Sequence, residues 1–149
     1  YLYLLFADYF TAEGLQGFAN WYLVQVQEEN AHAMLMLQYM QNNRQPVTLE
    51  AIQKPEASLL SHLHVLQAGL AHEQFVTASI HNIYEQAALA KDYRSMQFLD
   101  WFIREQDEEE TNAENLISKL TLFGGDAKGL YLLDQELGAR VFNPPSLKA

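Results

Sequence analysis

Apolar residues recur at steps of three and four positions along most of the chain, the spacing that places them on one face of an α-helix. Alternation of apolar and polar residues, which would indicate β-strands, is nearly absent. Asp92 suits the N-cap of a helix, and Gly124-Gly125 is typical of a helix end. The pattern predicts five helices, over about residues 1–12, 16–42, 58–88, 92–122 and 127–138.

The connection between the second and third predicted helices is long. It covers roughly 15 residues, an unusual length for a loop inside a compact domain, and it contains Pro46 and Pro55. A loop of this length can cross the whole height of a bundle, whereas the neighbouring connections are short. We therefore expect one all-α domain over residues 1–149, built as a four-helix bundle with a long crossover between helices two and three. A short fifth helix and an irregular tail around Pro144-Pro145 follow.

Charge and composition narrow the class of partner. The formal net charge is −10, which disfavours nucleic acid as the principal partner and favours cations. No run of about 18 apolar residues occurs, so the sequence predicts no transmembrane helix and no membrane partner. The chain has no cysteine, which excludes disulfides and thiolate metal ligands and agrees with a cytoplasmic location.

Each of the three long predicted helices carries an apolar stripe that a carboxylate interrupts near the middle of the helix. The stripe of helix two contains Phe18, Tyr22, Gln25, Glu29, His32, Met36 and Tyr39. The stripe of helix three contains Leu59, Leu63, Leu66, Leu70, Glu73, Thr77, Ile80 and Tyr84. The stripe of helix four contains Leu99, Phe102, Gln106, Glu109, Ala113, Leu116 and Leu120.

An ionised carboxylate in a core is costly unless a cation compensates it. The chain has only 9 Lys and Arg residues, so a bound metal pair is the simpler source of positive charge for three core carboxylates. Glu29 and His32 are three residues apart and therefore lie on one helix face. Carboxylates with a single imidazole suit iron or manganese better than structural zinc. The sequence therefore predicts a metal centre inside the bundle.

Three stretches resemble the metal-site motifs of the bacterial non-haem ferritins. They are Gln27-Glu28-Glu29-Asn30-Ala31-His32, His72-Glu73-Gln74-Phe75 and Glu105-Gln106-Asp107-Glu108-Glu109-Glu110. Asp92-Tyr93 with Phe98-Leu99-Asp100-Trp101 resembles the family's fourth-helix start, and Gly129-Leu130-Tyr131-Leu132 resembles its fifth-helix entry. The resemblance covers essentially the whole chain, in order and with compatible spacing.

The resemblance implies a ferritin-like fold and an iron-storage subunit that oxidises Fe(II) with O2 or H2O2 at a di-iron site. Glu29 would bridge two irons, and His32 would bind the first. Glu73 and Glu109 would bind the second. Identical subunits would form a hollow octahedral shell that stores the ferric mineral.

The resemblance also implies residues around the di-iron site. Gln106 corresponds to a neighbouring amide, and Tyr3 corresponds to a tyrosine beside the irons. A third, outer iron would bind Glu28, Glu105 and Glu108, with Glu109 shared.

One family ligand has no counterpart in the chain. The first iron of the family also takes a glutamate from the first helix, and that position would precede Tyr1. We expect truncation at the N-terminus. The alternative is a storage or structural shell subunit with an incomplete, inactive oxidation site.

Two related families fit less well. Bacterioferritins repeat the Glu-x-x-His pair in helix four and carry a haem-ligating Met after the first such Glu, whereas this chain has Asn112 and Asn30 at those places. We therefore expect no haem. The small DNA-protecting relatives lack a C-terminal fifth helix, which the segment 124–138 predicts here.

Overall fold

A computed structural model describes residues 1–147, and this part of the chain contains helices and no strand. The five helices are α1 (Leu2–Ala12), α2 (Gln16–Asn42), α3 (His62–Leu89), α4 (Tyr93–Phe123) and α5 (Ala127–Leu137). Residues 148–149 of the predicted domain lie outside the described range. The helix bounds predicted from the sequence hold to within one residue, except at the start of α3.

The third helix begins at His62 rather than near residue 58, so Leu59 precedes it and the assignment of Leu59 to the helical stripe was wrong. The cause is local. The hydroxyl of Ser61, in an extended backbone conformation, accepts a hydrogen bond from the backbone N–H of His64 at 3.1 Å. A serine in this position satisfies one of the first N–H groups of a helix and so sets its start.

The chain forms two compact units. One comprises Tyr1–Leu59 and residues 123–147, and the other comprises Leu60–Leu122. The first unit therefore holds α1, α2 and α5, and the second holds α3 and all of α4 except its last residue. The expectation of a single domain stays a prediction.

An aromatic cluster joins α1 to α2 in the first unit. Phe10 stacks on Phe18 with ring centroids 4.9 Å apart, and Phe6 meets Tyr22 edge-on at 5.2 Å. Phe6, Phe10 and Phe18 are fully buried. Aromatic pairs at these separations add to the stabilisation from burial, so this cluster fixes α1 along the first turns of α2.

The second unit is a helical hairpin. Only residues 90–92 separate α3 from α4, and Lys91 takes a left-handed conformation (φ 57°) that reverses the chain. Asp92 accepts a hydrogen bond from the N–H of Ser95 at 3.1 Å, which confirms its predicted capping role. Near this end, the hydroxyl of Tyr84 donates to Asp100 across the pair at 3.0 Å.

The predicted stripe of α4 is confirmed. Six of its seven members are buried in the structure, namely Leu99, Phe102, Gln106, Glu109, Leu116 and Leu120.

None of the helices in residues 1–147 combines the length and the hydropathy that a membrane span requires.

Candidate metal centre

The first unit supplies two candidate ligands from α2, Glu29 and His32. They lie one turn apart, and His32 Nδ1 is 3.5 Å from Glu29 Oε2. The imidazole is buried, whereas the Glu29 side chain keeps 33% of its exposure. Gln25, one turn before Glu29, donates a hydrogen bond from its Nε2 to Glu29 Oε1 at 3.1 Å. The amide thus orients a carboxylate that is less buried than its place on the apolar stripe suggested.

The second unit supplies two buried carboxylates, Glu73 on α3 and Glu109 on α4. The side-chain amide of Gln106 lies against Glu73. It donates to the Glu73 carboxylate and to the Glu73 backbone carbonyl, both at 3.2 Å, and contacts the hydroxyl of Thr77 at 3.3 Å. An amide stabilises a carboxylate oxygen through a hydrogen bond but brings no positive charge, so buried Glu73 favours a nearby cation.

Glu109 follows Gln106 by three residues and shares its helix face. The next residue, Glu110, accepts a hydrogen bond from the hydroxyl of Thr77. Glu109 is therefore buried and Glu110 only half-buried, although the two residues are adjacent in an acidic run. The predicted distinction between Glu109 and its acidic neighbours has a structural basis.

The three predicted ligands of an outer iron differ in exposure. Glu105 is half-buried and Glu108 is exposed. Glu28 lies in the first unit, where its carboxylate forms an ion pair with Arg140 at 2.5 Å.

Tyr3, the predicted tyrosine beside the irons, is buried and stacks on Tyr22 with ring centroids 5.7 Å apart.

Arg140 contacts the predicted ligand Glu28, and the sequence analysis did not single it out. One guanidinium nitrogen donates to Glu28, and the other donates to the side-chain oxygen of Gln25 and to the backbone carbonyl of Trp21, both at 3.1 Å. The guanidinium also lies over the indole ring of Trp21, 4.0 Å from its centroid. More than 110 residues separate Arg140 from these partners, so no local spacing pattern could have revealed the contacts.

Comparisons with known proteins identify the class of the chain. Residues 1–123 match the Ferritin family, described as a ferritin-like domain. A bacterial non-heme ferritin of Staphylococcus epidermidis is 38% identical over 141 residues, which are 95% of this chain and 85% of that protein. A bacterial non-heme ferritin of Staphylococcus aureus is 37% identical with the same coverage.

Solved structures of ferritins are also similar to this chain. An Archaeoglobus fulgidus ferritin engineered into a closed form is 42% identical with a TM-score of 0.93, covering 96% of this chain and 87% of that one. The open-pore ferritin of the same archaeon is 41% identical with a TM-score of 0.92, covering 95% of this chain and 87% of that one. The chain therefore belongs to the ferritin family of iron-storage proteins. Its predicted fold class is confirmed: all-α and ferritin-like, with a long α2–α3 connection and a short C-terminal helix.

Proposed function

We propose that this ferritin subunit is a ferroxidase, which oxidises Fe(II) at a di-iron site and passes Fe(III) to a stored mineral. The observation that carries the proposal is the Glu29-His32 pair of α2, a carboxylate and a buried imidazole one turn apart, in a ferritin-family chain whose second unit buries the carboxylates Glu73 and Glu109. Oxygen ligands with one imidazole suit iron.

Glu29 bridges the two substrate irons in this proposal, and His32 binds the first of them. Glu73 and Glu109 bind the second. Gln106 supports this arrangement because its amide donates a hydrogen bond to the Glu73 carboxylate and another to the Glu73 backbone carbonyl. Tyr3 lies beside the irons as a hydrogen-bonding or redox-active phenol.

The reaction takes one electron from each of two Fe(II) ions. Dioxygen accepts the two electrons and two protons and becomes H2O2. When H2O2 is the oxidant, the same two electrons and two protons yield two water molecules. Carboxylates stabilise the higher charge of Fe(III), so they favour the oxidised product as well as binding the substrate.

A third iron binds at an outer site formed by Glu28, Glu105 and Glu108, with Glu109 shared. Glu105 and Glu108 support a wetter setting for this site, because they are less buried than Glu73. The subunit uses no haem, since Asn30 and Asn112 stand where bacterioferritins place a methionine and a second histidine.

Identical subunits assemble into a hollow octahedral shell in the cytoplasm, with Fe(II) and O2 or H2O2 as the small-molecule partners. Exposed apolar side chains support association, because a monomer would leave them in water. They include Leu49, Ile52, Leu60, Phe75, Leu89, Tyr93 and Leu122. Electron microscopy of the purified chain should show closed particles with two-, three- and four-fold axes. A monomer or dimer at neutral pH would exclude the shell.

Glu29→Ala tests the ferroxidase proposal. Stopped-flow absorbance after anaerobic loading of the assembled protein with about two Fe(II) per chain, followed by mixing with O2, should show a fast phase that Glu29→Ala loses. The matched control is Glu114→Ala, which removes an exposed carboxylate of α4. Fast oxidation in Glu29→Ala would refute the assignment. Absence of a fast phase in the wild-type protein would favour the inactive storage subunit instead.

A further inference from the structure

Arg140 connects the segment after α5 to three consecutive turns of α2. Its partners on α2 are the carbonyl of Trp21, the side-chain oxygen of Gln25 and the carboxylate of Glu28. The guanidinium is largely shielded from solvent, with 16% of its side chain exposed. A planar group with five donors can hold several acceptors in a fixed geometry, which the flexible ammonium of a lysine does less well.

The ion pair places the positive charge of Arg140 beside the Glu28 carboxylate before any metal arrives. Glu28 and Arg140 are both mostly buried, with side-chain exposures of 18% and 16%. A partly buried ion pair is screened less by water than one on the surface. A metal ion that binds Glu28 must therefore compete with the guanidinium for the same carboxylate.

The second contact of Arg140 reaches the inner ligand Glu29 through Gln25. Arg140 donates to Gln25 Oε1, which fixes the orientation of the amide and turns its Nε2 toward Glu29. Gln25 Nε2 donates to Glu29 Oε1 at 3.1 Å. Groups that orient a metal ligand through a hydrogen bond commonly change metal affinity by about 10–100-fold when they are removed.

We propose that Arg140 is a positioning residue with two opposite effects on metal binding, one at each carboxylate of the Glu28-Glu29 pair. It strengthens binding at the inner di-iron site, because it orients Glu29 through Gln25. It weakens binding of a third metal at Glu28, because it occupies that carboxylate. The proposal rests on the function proposed above, and it adds a competition between an internal cation and the outer metal ion.

Calorimetric titration of the assembled, metal-free protein with Zn(II) tests both effects without oxidation chemistry. Arg140→Gln removes the positive charge and the guanidinium fork. We expect the first two Zn(II) ions per chain to bind about tenfold more weakly. We expect the third to bind about tenfold more tightly, and the added substitution Glu28→Gln should abolish that gain.

Two further variants separate charge from geometry. Arg140→Lys keeps a cation beside Glu28 but lacks the planar fork, so the third Zn(II) should bind as in wild type while the first two bind more weakly. Arg44→Gln removes one positive charge from an exposed residue beyond α2 and should leave every step unchanged. Circular dichroism of each variant verifies that the helices are intact.

The proposal is overturned if the two binding steps of Arg140→Gln do not shift in opposite directions. Its failure is distinguishable from failure of the ferroxidase assignment. Wild-type-like titration of Arg140→Gln, alongside fast Fe(II) oxidation by the wild-type protein, would refute only the role of Arg140. A wild-type protein that neither binds two Zn(II) ions nor oxidises Fe(II) rapidly would refute the proposed function itself.

Discussion

The carboxylate of Asp134, in α5, accepts a hydrogen bond from the backbone amide of Gly17, at the start of α2, at 2.7 Å. The same oxygen accepts a second hydrogen bond from the amide of Phe18 at 3.1 Å. The residue before α2 is Leu15, which provides no side-chain cap. A residue more than 110 positions away thus caps the helix that carries Glu29 and His32, and negative charge at a helix N-terminus is favourable.

Asp134→Ala should destabilise the first unit, because it leaves two buried N–H groups without their acceptor. An unsatisfied buried donor costs about 1–3 kcal/mol, so we expect a clearly lower melting temperature for the metal-free protein. Asp134→Asn keeps an oxygen acceptor and should recover part of the loss. If Asp134→Ala melts at the wild-type temperature, the cap contributes nothing to stability.

Gly17→Ala should be more damaging than an ordinary glycine substitution. A Cβ at this position would overlap the backbone carbonyl oxygen of Asp134, so α5 would have to move away from α2. Gly125→Ala is the matched control, since a Cβ there has no heavy atom within 4 Å. Thermal melts followed by circular dichroism should rank Gly17→Ala well below Gly125→Ala, and equal melting temperatures would contradict the close approach.

The Asp92 cap predicts a pH dependence. Hydrogen bonds from the hydroxyl and then the backbone amide of Ser95 hold the pKa of Asp92 below its usual range. Because the folded pKa is the lower one, the ionised cap stabilises the protein above the unfolded pKa, and this stabilisation is lost as the pH falls through the folded pKa. Asp92→Ala should therefore melt below wild type at neutral pH, with a difference that becomes smaller in acid.

Asp92→Asn serves as the reference at each pH, because its amide oxygen can cap the helix without titrating. The stability of Asp92→Asn relative to Asp92→Ala should stay nearly constant where the wild-type advantage declines. A wild-type advantage over Asp92→Ala that is the same at neutral and acid pH would show that the carboxylate charge does not matter.

Features encoded by nearby residues were predictable from the sequence. The bounds of α2 and the cap at Asp92 depend on local periodicity and on one side chain three residues from its partner. The buried Glu73 and Glu109 were found because a carboxylate on an apolar stripe violates the pattern around it. Such a violation is visible without any tertiary information.

Features that depend on distant residues escaped the sequence analysis. The contacts of Arg140 with Gln25 and Glu28, and of Asp134 with Gly17, join α5 and its tail to α2. Their residues carry no unusual spacing, since an arginine after a helix and an aspartate within one are common on surfaces. The late start of α3 is a local feature that was overlooked, because the stripe was extended back to Leu59 and the capping role of Ser61 was not considered.

We propose above that the carboxylates form two groups, one that binds an inner pair of substrate irons and one that binds an outer third iron. Glu73 is buried with 4% exposure and is held by Gln106, whereas Glu105 is half-buried. Loss of Glu73 should therefore disable the inner site. Loss of Glu105 should change only the iron taken up per subunit or the later turnover, because the inner ligands remain.

Stopped-flow absorbance at about two Fe(II) per chain measures this difference between the two variants. Each Ala variant is first confirmed to assemble and to keep its helical circular dichroism. We predict that Glu73→Ala nearly eliminates the fast oxidation phase, with a loss of about 100-fold or more in its rate. Glu105→Ala should keep the phase at close to the wild-type rate. Equal loss of the fast phase in both variants would refute a separate outer site and place Glu105 in the inner centre.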